Sequence, residues 1–153
     1  MKRIKLTNGG YTLVDDEDFE RLNKYKWRVV LGYVVRTAPQ IRMNREIMKT
    51  RKGFVADHVN GNRLDNRRKN LRNCTHSENN RNKGKIKNAA SRFKGVSKQG
   101  HLKQWRVQIM VNGRALRIGS FDNEHHAALA YDLWAILLHG KFAKTNFRVV
   151  SHK

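Results

Sequence analysis

Residues 57–79 read DHVNGNRLDNRRKNLRNCTHSEN, and this stretch decides how the whole chain is interpreted. An acid and a histidine stand side by side at Asp57 and His58, and an Asn-Gly turn follows at once at Asn60 and Gly61. Hydrolysis of a phosphodiester with a hard cation needs an oxygen ligand for the ion, a base for water and a short scaffold that holds both. This stretch supplies all three.

The local patterns around these residues predict two short strands and a helix. The predicted elements are a strand over 55–58, a polar loop from Asn60 to Lys69, a strand over 71–74 and a helix that begins at the capping box Thr75-x-x-Glu78. Such a ββα unit, over 55–82, is too small to bury a core alone. It must pack on the residues before it, so we predict one domain over 1–82.

The residue types at this site favour a hard metal ion. Asp57 offers a carboxylate oxygen and Asn79, on the helix, a neutral amide oxygen, which together suit Mg²⁺ or Mn²⁺. His58 can be neutral at physiological pH and accept a proton from water. Because neighbours on a regular strand point to opposite faces, we expect a kink or bulge to bring His58 round to the phosphate. Asn70 can tie the loop together and orient His58. A purely structural hairpin is the alternative reading.

The first 54 residues are expected to supply the core on which that unit packs. They predict a hairpin around Asn8-Gly9-Gly10, two strands around Gly32, and a short helix or strand–helix turn between 41 and 48. The acidic run 15–18 stands where a helix N-terminus favours negative charge. We interpret this run as a helix cap with no catalytic role.

The last third of the chain predicts a three-stranded antiparallel sheet packed on one helix. Its predicted elements are a basic linker over 83–92, strands over 93–96, 105–111 and 116–118, and a helix over 124–139 that Gly140 ends. Strict alternation in 105–111 places apolar residues on one face and Arg106 and Gln108 on the other. The fold class is therefore α+β, with a second domain over 93–153.

Composition points to a polyanionic partner. The 153 residues contain 33 Lys and Arg against 12 Asp and Glu, a net charge of +21 that is spread along the whole chain. Charge of this size bears on partners, not on fold, and we expect double-stranded DNA. A single cysteine, Cys74, excludes an internal disulfide and makes a Cys/His zinc site with His58 and His76 a weak alternative. Without an apolar leader or an 18-residue apolar run, we expect a soluble, intracellular monomer that binds no membrane, from a phage or bacterial cytoplasm.

With these residues in place, the stretch resembles the HNH nucleases of the phage and intron homing-endonuclease group. The matching residues are Asp57-His58, Asn70-Leu71, Thr75 and Asn79. The resemblance implies a ββα-metal fold, with His58 as general base, Asp57 and Asn79 as metal ligands and Asn70 as the loop-orienting residue. It extends upstream to RMNREIM, where the family commonly has His before Arg and this chain has Asn44-Arg45. We expect that departure to affect support or DNA contact, not chemistry.

Residues 93–147 resemble the DNA-binding domain of plant ethylene-response factors of the Apetala-two type. The motifs FKGV, WRVQI, LRIGSF, AALAYD and KTNF carry the resemblance. It implies that the sheet lies in the major groove of DNA. Carried over by position, and with Arg106 added from alternation, the expected DNA contacts here are Lys94, Ser97, Gln99, Gln104, Arg106, Gln108, Arg117 and Ser120.

The sequence thus predicts a metal-dependent, site-directed DNA endonuclease of homing type that cuts one strand or both. In the nuclease domain and the linker, the expected DNA contacts are Arg67, Arg68, Arg72, Lys85 and Lys87. A DNA-binding regulator on an inactive nuclease scaffold is the alternative, but Asp57, His58 and Asn79 are all present. An RNA-directed protein ranks last, because no RNA-recognition signature with paired aromatic residues occurs.

Overall fold

The chain folds into two compact units, and each is described here by itself. The computed structural model describes residues 1–85, 89–100 and 102–147. The units are Met1–Asn79 and Asn80–Lys153. Both combine helices with antiparallel strand pairs, which confirms a mixed α and β architecture. In the part of the chain that is described, no helix has the length and apolar character needed to cross a bilayer.

The first unit consists of short strand pairs and short helices. Its elements are β1 (Lys2–Lys5), β2 (Tyr11–Val14), α1 (Asp16–Asn23), β3 (Arg28–Val30), β4 (Tyr33–Thr37), β5 (Gln40–Arg42), α2 (Met43–Ile47), β6 (Val55–His58), a 3₁₀ turn (Arg68–Asn70), β7 (Leu71–Cys74) and α3 (His76–Asn82), whose last residues belong to the second unit. The hydrogen-bonded sheets are β1-β2, β3-β4-β5 and β6-β7, all antiparallel. The expected hairpin at the N-terminus is confirmed.

One apolar cluster holds these small sheets together. Its fully buried members come from the N-terminal hairpin and both early helices, and Leu71 of β7 joins them. Trp27 is buried at the centre, and its indole Nε1 donates to the carbonyl of Leu22 at 2.8 Å. The strand pair β6-β7 therefore shares a core with residues 1–54, as its small size requires.

The second unit is a three-stranded sheet covered by one long helix. Its elements are β8 (Val96–Lys98), β9 (Trp105–Val111), β10 (Arg114–Phe121), α4 (Glu124–His139) and a 3₁₀ turn (Gly140–Phe142). Strand order is β10-β9-β8, antiparallel throughout. Asn123 begins α4 by accepting hydrogen bonds from the amides of His125 and His126. Val107 and Ile109 are buried against the alanines of α4, as alternation predicted.

The predicted strand over 93–96 is wrong, because β8 begins only at Val96. Gly95 has φ +75°, a left-handed conformation that ends any strand before it. The backbone there lies so close to α4 that a Cβ on Gly95 would fall 2.0 Å from the ring of Tyr131. The segment before it is held by Asn146, whose side chain accepts from the Lys94 amide at 2.7 Å.

Candidate active site

The loop between β6 and β7 is anchored on the N-terminal hairpin. The Leu13 amide donates to the Leu64 carbonyl at 2.9 Å, and the Asn66 amide donates to the Leu13 carbonyl at 2.9 Å. A parallel bridge joins Leu13 to Asp65. The loop thus adds to β2 as a further short strand, so the hairpin fixes the backbone that faces His58.

Asn70 closes the same loop from its other end. Its Oδ1 accepts from the Asn60 amide at 2.9 Å, and its Nδ2 donates to the Asp65 carbonyl at 2.8 Å. The Asn70 side chain is buried, so water competes little for these hydrogen bonds. The Asn60–Gly61 turn, with Gly61 at φ +77°, then leads the chain away from β6.

His58 is the last residue of β6, and its ring is buried inside the loop. Ring Nε2 lies 3.1 Å from Oδ1 of Asn66. The Asn66 amide is oriented by its other end, since Nδ2 donates to Thr12 Oγ1 at 2.9 Å and to the Arg63 carbonyl at 3.2 Å. Thr12 in turn donates to the Leu64 carbonyl at 2.9 Å. Each donor in this series of hydrogen bonds has a defined acceptor. Asn66 Oδ1 must therefore accept from His58, so His58 Nε2 carries the proton.

This network determines which ring nitrogen of His58 can act as a base. With Nε2 protonated, neutral His58 keeps its lone pair on Nδ1. Burial lowers the pKa of His58 below its ordinary value, and the nearby Arg63 charge adds to that effect against the raising influence of Asn66 and Asp57. The imidazole is therefore neutral at physiological pH, which is the form that accepts a proton.

The kink expected at Asp57–His58 is wrong. The β6-β7 ladder is regular, with Asp57 opposite Arg72 and His58 opposite Leu71. The two side chains keep opposite faces, as alternation requires. β6 ends at His58, and the loop folds back to meet the imidazole through Asn66.

Asp57 is a largely buried carboxylate beside Arg72. Its Oδ2 accepts from Arg72 Nε at 3.0 Å and Nη2 at 2.9 Å. Asn79 is half-buried on α3, whose start is fixed by the predicted capping box: Thr75 Oγ1 accepts from the Glu78 amide at 3.2 Å, and Glu78 accepts from the Thr75 amide at 2.8 Å. No group of three or more His, Cys, Asp or Glu able to hold a metal occurs among the described residues. One carboxylate and one amide fit a hard ion whose shell is mostly water and phosphate.

The acidic run 15–18 lies at the start of α1, as expected, but the N-cap residue Asp15 makes no side-chain cap bond to the helix. Its Oδ2 instead accepts from the Arg68 amide at 2.7 Å. Asp18 is buried and takes the Arg68 guanidinium at 2.8 and 2.9 Å. Burial opposes ionisation of Asp18, but hydrogen bonds from Arg68 and Arg21 outweigh it and lower the pKa. These acids hold the end of the loop between β6 and β7 against α1.

Asn44, where the sequence departs from the family pattern, supports β6. Its side chain is buried and its Nδ2 donates to the Ala56 carbonyl at 2.7 Å. That carbonyl belongs to the residue before Asp57. Asn44 thus contributes to the position of β6.

The outer face of the second unit's sheet brings most of the expected DNA contacts together. Ser97, Arg106 and Ser120 stand opposite one another across the three strands, and Gln108 stands opposite Arg117 in the next row. A bulge between Arg117 and Gly119 shifts β10 by one residue, so Arg117 and Ser120 share a face although they are three apart. Ser120 donates to Gln99 Oε1 at 2.9 Å and accepts from Arg117 at 3.0 Å. Among the described residues, Arg106 Nε is buried with no hydrogen-bond partner.

Other expected DNA contacts are placed less favourably. Gln104 donates to Asp122 at 3.0 Å at the edge of this face. Lys94 is half-buried, donates to the Arg81 carbonyl, and has its pKa lowered to about 8 by burial, with Lys144 adding to the effect. Lys85 is exposed and donates to the Ser91 carbonyl at 3.2 Å. Lys87 lies outside the described residues.

Comparison with known proteins agrees with this geometry. A family model described as HNH endonuclease matches residues 50–81, the segment that contains β6, the loop, β7 and most of α3. An uncharacterized HNH endonuclease of Acanthamoeba polyphaga mimivirus is 30% identical over 146 residues, which is 90% of this chain and 75% of that protein. The chain belongs to the HNH endonuclease family. It is therefore a nuclease, and nucleic acid is its substrate.

A second relative matches a shorter part of this HNH endonuclease. An AP2-like ethylene-responsive transcription factor of Arabidopsis thaliana is 34% identical over 61 residues, or 39% of this chain and 18% of that protein. The likeness gives weak support to the Apetala-two resemblance of the second unit.

Sequence reasoning missed Asn66 and Thr12. Asn66 lies in a run of polar loop residues and Thr12 in an early strand, 54 positions apart, and no local pattern links them. The signal available was the density of Asn and Asp in a loop that had to be buried, since buried backbone groups must find side-chain partners.

Proposed function

We propose that this HNH endonuclease is a metal-dependent, site-directed DNA endonuclease of homing type. His58 acts as general base, Asp57 and Asn79 hold a single Mg²⁺ or Mn²⁺, and the second unit reads DNA through its sheet. One observation carries the proposal: the bonds from His58 through Asn66 and Thr12 to the Leu64 carbonyl leave the lone pair of His58 on Nδ1, and His58 directly follows Asp57 in the chain.

The residues of the site divide the hydrolytic work. His58 Nδ1 takes the proton from the attacking water, and the Nε2–H bond to Asn66 keeps the ring oriented while it becomes cationic. Asn70 holds the loop that carries Asn66 and so preserves this geometry. A divalent ion, when bound, supplies charge stabilisation for the pentacoordinate phosphate and the leaving oxygen. Asp57 and Asn79 would hold it.

Arg72 connects the metal ligand to the substrate in this proposal. Its guanidinium lies on Asp57 Oδ2 and is partly exposed. The two hydrogen bonds from this guanidinium hold the Asp57 carboxylate in one orientation. The same guanidinium is well shaped to receive a phosphate oxygen when DNA arrives.

The second unit supplies sequence preference. The rows of Ser97, Arg106 and Ser120 and of Gln108 and Arg117 form a polar face about three strands wide. Arg106 Nε, which has no hydrogen-bond partner among the described residues, suits an incoming acceptor. Support comes also from the limited similarity to the AP2-like factor. We infer that this face enters the major groove.

The experiment that tests metal dependence is cleavage of supercoiled plasmid with Mg²⁺, with Mn²⁺ and with chelator. Cutting should stop in chelator, while the melting temperature of the protein should stay the same, because two protein ligands are too few to hold a fold together. Nicked and linear products distinguish one cut strand from two. Cutting that persists without metal, or a protein that melts on chelation, contradicts the site assignment.

A further inference from the structure

The arginines of the catalytic loop differ in whether a carboxylate already neutralises them. Arg67 binds Asp65 through Nε and Nη2, both at 2.7 Å, and Arg68 binds Asp18. Arg63 is exposed, and no carboxylate of the described residues lies within ion-pairing distance of it. The full charge of Arg63 is thus available to a ligand.

Arg63 is nevertheless held in place. Its guanidinium carbon lies 4.1 Å from the centroid of the Tyr33 ring, and its Nη1 donates to the Leu31 carbonyl at 3.1 Å. The turn between β3 and β4 is shaped for it. Gly32 has φ +79°, and a Cβ there would meet Arg63 Nη1 at 3.0 Å. A larger residue at position 32 would displace the guanidinium.

A second arginine lies against the same ring. Arg42, at the end of β5, is exposed and has its guanidinium carbon 4.2 Å from the Tyr33 centroid. It too makes no ion pair among the described residues, whereas Arg36 on the neighbouring strand binds Glu46 at 3.2 Å. Two ordered, unneutralised guanidinium groups on one half-buried ring repel each other, and a bound anion removes that repulsion.

This cluster adjoins the catalytic base. Arg63 lies between Asn60 and Asn66, and its carbonyl accepts from the Nδ2 of Asn66, the residue that binds His58. Its charge also acts on the imidazole, where it helps to lower the pKa. A phosphate bound by Arg63 would therefore lie on a strand that passes close to His58.

We propose that Arg63 and Arg42, ordered by Tyr33, form a phosphate-binding surface that receives the DNA backbone next to the catalytic loop. The proposal rests on DNA being the substrate. It assigns these contacts to the two unneutralised arginines ahead of Arg67 and Arg68, whose carboxylate partners compete with phosphate. Pre-ordered guanidinium forks lose little conformational entropy on binding, and they contact backbone without reading bases.

The test is the salt dependence of DNA binding by the full chain in chelator. Arg63→Ala and Arg42→Ala should each reduce the slope of log affinity against log salt by about 0.9. Each variant should therefore lose about 3.5-fold less affinity than the wild-type chain between 50 and 200 mM salt. The double variant should reduce the slope by about 1.8, equally on all DNA sequences. Arg63→Gln, which keeps a donor for the Leu31 carbonyl, should behave like Arg63→Ala and guards against a folding defect.

Arg28→Ala is the matched control, because Arg28 is an exposed arginine of the sheet that carries Arg42, and no ring or carboxylate of the described residues holds it. It should change the slope by much less. An unchanged slope in the double variant, or an equal loss in Arg28→Ala, overturns the proposal. Plasmid cutting by the wild-type chain is scored separately. A chain that binds through these arginines but never cuts would contradict the proposed function and leave this surface standing.

Discussion

The side chain of Asn66 determines which ring nitrogen of His58 carries the proton. Replacing it with Ala removes the acceptor of the Nε2 proton, so the proton can move to Nδ1 and block the base. We expect Asn66→Ala to lower the single-turnover cleavage rate on the order of 10²-fold, the lower end of what general-base catalysis contributes. DNA affinity should stay nearly unchanged. Rate and affinity are measured on the same duplex.

Asn80→Ala is the control for this prediction. Asn80 is an exposed asparagine of α3 with no role in the loop network. It should leave the cleavage rate unaltered. If Asn66→Ala lowered binding and cleavage equally, Asn66 would be a structural residue of the loop and not a positioning residue for the base.

At the scale of elements, local signals in the sequence predicted well. The N-terminal hairpin, the β6-β7 pair, the capping box at Thr75 and α4 all depend on residues within one element or one turn. The failures involve distant partners. The start of β8 depends on the contact of Gly95 with Tyr131, and the role of Asp15 depends on Arg68. No period in the sequence encodes such pairs.

Helix α4 packs on the sheet through its small residues. Leu133 and Leu137 are 70% and 73% exposed, while Ala128 and Ala135 are fully buried. Small residues are buried there because the helix lies close to the sheet. Hydrophobicity alone does not reveal that spacing.

Substitutions at two glycines with left-handed backbones allow the cost of backbone strain to be measured apart from the cost of overpacking. Gly95 and Gly113 have φ +75° and +80°, but only a Cβ on Gly95 would meet other atoms within 4 Å. Gly113→Ala should cost about 1–2 kcal/mol of unfolding free energy, from the backbone alone. Gly95→Ala should cost about 1–3 kcal/mol more, from overpacking. Chemical denaturation measures both, and equal losses would show that Tyr131 moves away freely.

At the scale of the whole molecule, net charge predicted the partner class but not the contacts. The 33 Lys and Arg residues include arginines that carboxylates already neutralise in the first unit, such as Arg67, Arg68 and Arg72. A count of charges cannot separate these from Arg63 or Arg117. That distinction depends on ion pairs formed in the fold, such as the pair of Arg68 with Asp18, 50 positions apart.

The two halves of the chain should divide the labour. Residues 1–82 alone should cut weakly with little sequence preference, and residues 93–153 alone should bind DNA with a steep salt dependence. In the full chain, Gln108→Ala and Arg117→Ala should change site preference, since both lie on the outer face of the sheet. Lys85→Ala should weaken binding equally on all sequences. Binding and cleavage are compared on a panel of duplexes.

The result against this division would come from the C-terminal half. If residues 93–153 neither bound DNA nor changed where the full chain cuts, the second unit would not be a DNA reader. The nuclease assignment of the first unit would be unaffected, because it depends on Asp57, His58 and the loop that orients them.

The most direct measurement is cleavage of supercoiled plasmid in Mg²⁺ by His58→Ala, together with its affinity for the same DNA. His58 is proposed to take the proton of the attacking water, so cleavage should fall about 10²–10⁴-fold. Binding should remain within about twofold, because the buried ring is not a phosphate contact. If the His58→Ala variant cut DNA at the wild-type rate, or lost binding and cutting equally, the account would be contradicted.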